Sequence, residues 1–159
     1  MVSKADFFKD IRNGNLEGVQ AVLKHSPEWV NSTDERGSTP LLLTTYYGHL
    51  EIAKYLLESG AEVDAKDGSG NTALMGVCFK GYEEIASLLV KAGANVNHVN
   101  SMGATCLIYA ATFNKIGIAK NLLEHGADIK ATDARGNSAL DNARMQEAQE
   151  MVELLEHYM

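Results

Sequence analysis

The residues able to do chemistry are few and scattered. Five histidines (His25, His49, His98, His125, His157) and two cysteines (Cys78, Cys106) are the soft ligands and nucleophiles available. A zinc or iron site announces itself by pairs such as H-x-x-x-H or C-x-x-C, which bring donors to one point, and no such spacing occurs. No G-x-S-x-G elbow, phosphate-binding glycine loop or dinucleotide fingerprint occurs either. Carboxylates and lysines share helix faces, three residues apart in "EIAK" and seven in "LEGVQAVLK", the pattern of solvated helix surfaces. Two cysteines 28 residues apart make no disulfide framework. The residues therefore predict no enzyme, no cofactor and no metal. One cluster of another kind is conspicuous. "TPLLLTTYYGH" (39–49) places Tyr46 and Tyr47 side by side before a glycine.

The 159 residues fit one domain, and 45% hydrophobic with 22% charged is an ordinary globular composition. A net charge of −7 argues against nucleic acid and suggests basic or neutral partners. The start, "MVSKADFFKD", has no apolar leader, and no apolar run reaches membrane-spanning length. The expectation is a cytoplasmic, monomeric protein with no membrane association.

What must position any functional side chain is a repeat. Gly37, Gly70, Gly103 and Gly136 recur every 33 residues, as do Gly60, Gly93 and Gly126. Leu41, Leu74, Leu107 and Leu140 keep the same step, as do Thr39, Thr72, Thr105 and Ser138, and Asp34, Asp67, Asn100 and Asp133. Each unit reads as turn, short helix, tight turn, longer helix. Thr39 is a helix N-cap and Pro40 a first helical residue. The short helix should stop at Gly48, a column that later holds Gly81 and Asn114, the residues most tolerant of positive φ. A second helix is predicted from about Leu50 to Glu58, with Ile52, Ala53, Leu56 and Leu57 on its apolar face.

"GSTPLLLTTYYGHLEIAKYLLESGAEVD", "GNTALMGVCFKGYEEIASLLVKAGANVN", "GATCLIYAATFNKIGIAKNLLEHGADIK" and "GNSALDNARMQEAQEMVELLEHYM" resemble ankyrin repeats, preceded by a degenerate unit with one extra residue near Pro27. The resemblance covers the chain and implies an all-α solenoid. About five stacked helix-turn-helix units (1–31, 32–65, 66–98, 99–131, 132–159) with hairpin-like loops would form a single domain, 1–159. A lone helix pair cannot bury its apolar face, so units stack and end units carry polar faces. Lys4, Asp6, Lys9, Asp10 and Arg12 would dot the first helix, and Glu147, Glu150, Glu153, Glu156 and His157 the last.

Three departures qualify the resemblance. The His usual after Thr-Pro-Leu is replaced by Leu42, Met75, Ile108 and Asp141, which predicts a dry seam between units. Cys78 and Cys106 fall where the family places small residues and read as packed ones. Glu147 stands in the Gly48 column and Leu154-Leu155 arrive one residue early, which predicts an altered final turn.

Members of the family bind proteins through hairpin tips and the exposed part of the first helices. Here that surface holds Arg36, Met102 and Arg135 at tips, and Tyr46, Tyr47, Phe79, Lys80 and Phe113 at helix ends, with Tyr109 extending the group. Tyr46 is expected beside Phe79, and Lys80 between Tyr47 and Phe113. Clustered aromatics with a cation are the composition of a binding hot spot. The expected function is a module that binds a protein or peptide through its concave face and loop tips. A dedicated inhibitor or stabilising subunit of one enzyme is the alternative.

Overall fold

A computed structural model describes residues 2–159, and among them ten α-helices and a short 3₁₀ turn alternate with loops. The first helices of the five units are α1 (Lys4–Asn13), α3 (Pro40–Tyr47), α5 (Ala73–Lys80), α7 (Cys106–Thr112) and α9 (Ala139–Met145). The second helices are α2 (Leu16–His25), α4 (Leu50–Glu58), α6 (Glu83–Lys91), α8 (Ile116–Glu124) and α10 (Gln149–His157). The 3₁₀ turn, Pro27–Asn31, absorbs the extra residue of the first unit. First helices pack on first helices along the chain, and second helices on second helices.

Each start follows from its cap. Thr39, Thr72 and Thr105 accept the N–H of Leu42, Met75 and Ile108. Ser138 forms a full capping box with Asp141, whose carboxylate takes the Ser138 N–H at 2.9 Å. That box is why Asp141 can replace the apolar residue of its column. The rest of the column is dry as expected, with Met75 and Ile108 buried and Leu42 half-buried against the core.

The short helices end in the left-handed conformation at Gly48 (φ 78°) and Gly81 (φ 85°), and Asn114 adopts it at φ 56°. Glu147 does the same at φ 55°, which corrects the expectation of an altered final turn. The Ala148 N–H reaches the Ala143 carbonyl, as the Lys115 N–H reaches Ala110, so the turn is conserved in geometry. Register is kept because Leu155, not Leu154, continues the fully buried column of Leu56, Leu89 and Leu122. Leu154 occupies the half-buried position of Tyr55. Burial of two core stripes across the interface outweighs about 1–2 kcal/mol for one non-glycine residue in this conformation.

The column after that turn seals each unit onto the one before. The ring of His49 lies where a Cβ on Gly14 would stand, and Tyr82 covers Gly48 likewise, 2.9 Å from such an atom. His49 Nε2–H also donates to the Arg12 carbonyl at 2.9 Å.

The loops between units are hairpin-like, with isolated antiparallel bridges at Lys66–Thr72 and Thr132–Ser138. In each tip one side chain holds the turn. Asp34 Oδ1 accepts the N–H of Arg36 and Ser38, and Asp67, Asn100 and Asp133 repeat this on their own tips. Successive tips are stitched by Ser101 N–H to the Ser69 carbonyl and Ala134 N–H to the Met102 carbonyl. A Cβ on Gly103 would meet the Ala134 nitrogen at 2.8 Å, so the close approach demands glycine there.

A second ladder runs at the far end of the unit. Asn31, Asp64 and Asn97 each accept a backbone N–H of the following unit, from Glu62, Asn95 and Asp128. The two asparagines also donate to the Gly60 and Gly126 carbonyls.

Candidate interaction surface

The first helices of the inner units, α3, α5 and α7, are enclosed on nearly all sides. In α5, Ala73, Leu74, Met75, Val77 and Cys78 are buried, and in α7 Cys106, Leu107, Ile108, Ala110 and Ala111. Only the last turn emerges, and the side chains there are large. Tyr46, Tyr47, Phe79 and Phe113 are between 38% and 52% exposed. Aromatic rings left this accessible in a chain with a complete core are available for contact.

The rings form two groups rather than one row. Tyr46 and Tyr47 meet edge to face at 5.2 Å, and Tyr47 stacks on His49 at 6.3 Å. Phe79 and Phe113 meet edge to face at 4.7 Å. Lys80 adds a cation to the first group, its Nζ 4.2 Å from the Tyr46 ring centre. This corrects two expectations, since Phe79 pairs with Phe113 and not with Tyr46, and Lys80 reaches Tyr46 and not a point between Tyr47 and Phe113. The physical reason is occupancy. His49 stacks on Tyr47 and Phe79 is paired with Phe113, while the Lys80 cation lies over the Tyr46 ring.

Tyr109 is placed differently from the other expected residues. It is half-buried, and its hydroxyl accepts from Asn100 Nδ2 at 2.7 Å while its ring lies 6.2 Å from Phe113. Asn100 uses its other amide hydrogen on Asn71 Oδ1 at 2.8 Å. A carboxylate could hold the tip turn but could not donate both bonds, which accounts for Asn in place of Asp in this unit. Tyr109 thus holds the third tip to the helix ends. Its counterpart in the last unit is Asn142, whose amide donates to the Ser138 carbonyl at 2.9 Å. The N–H of Asn137, and after it that of Arg135, holds the Asp133 carboxyl below its ordinary range.

At the tips, Arg36, Met102 and Arg135 occupy one column and are exposed. Met145, exposed at the end of α9, was missed by sequence reasoning. It stands in the Tyr46–Phe79–Thr112 column, and following the 33-residue step one unit further finds it. Between α1, the first tip and α3 lies a hollow of about 560 Å³ bordered by Lys4, Phe8, Arg12, Arg36, Leu43 and Tyr47.

The remaining reactive groups are structural. His98 Nε2–H donates to the Gly70 carbonyl and His125 Nδ1–H to Asn121. Cys78 and Cys106 are free and fully buried on neighbouring helices. The Cys106 hydrogen bond and then burial push the Cys78 thiol well above its ordinary range, which disfavours the thiolate a nucleophile needs. Among the described residues no group of His, Cys, Asp and Glu converges as a metal site, and no helix is long and apolar enough to cross a membrane.

The family description "Ankyrin repeats (3 copies)" matches residues 8–100, 60–133 and 92–158, so the chain belongs to the ankyrin-repeat family. It is similar to the mouse Ankyrin repeat and SAM domain-containing protein 6 (Mus musculus), at 35% identity over 61 residues, which is 38% of this chain and 7% of that protein. It is 39% identical over 49 residues to human (Homo sapiens) NAD-capped RNA hydrolase NUDT12, 31% of this chain and 11% of that protein. The human DNA-binding protein RFXANK matches equally, at 39% over 49 residues, 31% of this chain and 19% of that protein. The matched segment is under a fifth of each relative's length. Ankyrin repeats are generally protein-interaction modules and typically non-catalytic.

Proposed function

We propose that this chain binds a protein or peptide partner through the surface formed by the ends of its first helices and its hairpin tips. The observation that carries the reading is the exposure of Tyr46, Tyr47, Phe79 and Phe113 at the ends of helices otherwise enclosed, with the Lys80 cation over Tyr46. Tyr46 and Phe79 are the central anchors, Tyr47 and Phe113 flank them, and Met145 extends the apolar part. Lys80, Arg36 and Arg135 supply charged contacts and Met102 an apolar tip. Tyr109 contributes by positioning the third tip. A dedicated regulator of one enzyme would use the same surface and differs in the identity of its partner.

The test is co-purification with the intact chain as bait, quantified by mass spectrometry against Tyr46→Ala/Phe79→Ala. Losing one central anchor costs on the order of 2 kcal/mol of binding, about thirtyfold in affinity. Partners retained equally by the double variant, with its helical circular dichroism intact, would place the site elsewhere.

A further inference from the structure

The average charge of the chain conceals a segregation. The second helices with the turns on either side of them (14–31, 48–64, 81–97, 114–130, 147–159) hold fourteen carboxylates against six Lys or Arg. The first helices and hairpins hold seven carboxylates against eight Lys or Arg. The whole negative excess therefore lies on the second-helix side. On the first-helix side, six of the seven carboxylates are engaged internally. Asp34, Asp67 and Asp133 accept tip N–H groups, Asp6 and Asp141 close capping boxes, and Asp10 accepts from Asn15. Glu35 is the exception.

Of the eight cations of that side, only Arg144 makes an ion pair among the described residues. The two salt bridges among the described residues are Lys54–Glu51 and Arg144–Glu156, so Lys4, Arg12, Arg36, Lys80 and Arg135 face no carboxylate at ion-pair distance. Three of them, Lys4, Arg12 and Arg36, border the hollow of about 560 Å³, whose wall also includes Phe8, Leu43 and Tyr47 and two carboxylates, Asp34, taken up by the N–H groups of its own tip, and Glu35, so cations outnumber carboxylates there by three to two. A cavity with an apolar wall and unpaired cations at its rim suits a ligand group that is apolar with a carboxylate beside it. Dipoles of backbone N–H aimed at the tip aspartates reduce what those carboxylates can repel.

Deepening the reading above and resting on it, we infer that the partner is an acidic peptide segment, carboxylates flanking an aromatic or aliphatic anchor, seated from the Arg12–Arg36 hollow to Lys80. Charge complementarity selects it. A nearly balanced surface does not supply the run of phosphate contacts that nucleic acid requires, and a basic segment would be drawn to the opposite side of the molecule.

Selection of a random display library of peptides of about a dozen residues on the immobilised intact chain tests this directly. The expected selections are rich in Asp and Glu around one large apolar residue. Their binding weakens several-fold between about 50 and 300 mM salt. It falls at least about tenfold in Arg12→Glu/Arg36→Glu/Lys80→Glu and holds in the second-helix control Lys91→Glu/Lys120→Glu. Melting curves verify that both variants fold. Neutral or basic selections that still require Tyr46 and Phe79 would overturn the inference and leave the proposed surface standing. Selections indifferent both to the cation substitutions and to Tyr46→Ala/Phe79→Ala, or an empty selection, would count against both. Tighter, salt-sensitive binding of a fluorescent single-stranded oligonucleotide than of any selected peptide, lost in the same triple variant, would overturn the inference in favour of nucleic acid.

Discussion

The two helices of each unit solve burial in opposite ways. Second helices are amphipathic, with one apolar stripe (Ile52, Ala53 and Leu56 in α4) and an outer face of Glu and Lys. First helices are sandwiched between neighbours and carry small residues where backbones approach, among them Ala73, Cys106, Ala110, Ala111 and Ala143. A second helix can present any polar residue to solvent at little cost. A first helix of an inner unit exposes only its last turn, so large apolar groups there are a restricted use of a small area. The difference teaches where to look for function. The stripe of the second helix reports stability, and the end of the first helix reports contact.

The sharpest way to break this contrast is to damage each class at its own centre. Leu89→Ala, in the fully buried second-helix column, is expected to lose about 2–5 kcal/mol of unfolding free energy by urea titration, with the partner-binding surface chemically untouched. Ala111→Leu should cost about 1–3 kcal/mol because α7 has no room for added methyl groups between its neighbours. If the first helices were loosely packed, that variant would be neutral. Tyr46→Ala/Phe79→Ala should leave the urea midpoint nearly unchanged while removing partner capture, the reverse of both.

Smaller effects sharpen the picture. Glu147→Gly should gain about 1 kcal/mol by relieving a left-handed residue, and Gly48→Glu should lose more than that, because Tyr82 covers its Cβ position as well. Acid titration should show the least change. The backbone N–H and then the hydroxyl of Ser138 hold the Asp141 carboxyl below its ordinary value of 3.8, so its contribution is complete above that pH and is lost as pH falls through the lowered value. Asp141→Asn should flatten the acid limb of a stability–pH curve, lying slightly below the parent protein near neutrality and converging with it in acid.

Much of the architecture was legible because a period of 33 residues overdetermines it. Caps at Thr39 and Thr72, the stop at Gly48 and the span Leu50–Glu58 each follow from residue types at fixed offsets. The final turn was misread because Glu147 disfavours its conformation locally, while the cost is outweighed by the stacking of Met151 and Leu155 into the core. Local preference cannot report a tertiary gain. In the surface, column arithmetic found which residues emerge but not how they pair. Rotamers decide that Phe79 turns to Phe113 and Lys80 to Tyr46, and spacing contains no rotamers. Tyr109 was grouped with the exposed rings because its bond to Asn100 joins positions nine residues apart in one unit, a contact that no comparison between units displays.

The ladder of Asn31, Asp64 and Asn97 gives the stack a direction. Each side chain belongs to one unit and holds an amide proton of the next, at Glu62, Asn95 and Asp128. Those three protons are internal strain gauges, one for each of the first three junctions. When a junction opens, its own amide is released to solvent while the others stay guarded. Hydrogen exchange at three addresses would therefore record the order in which the stack comes apart, and would show which junction a bound partner clamps.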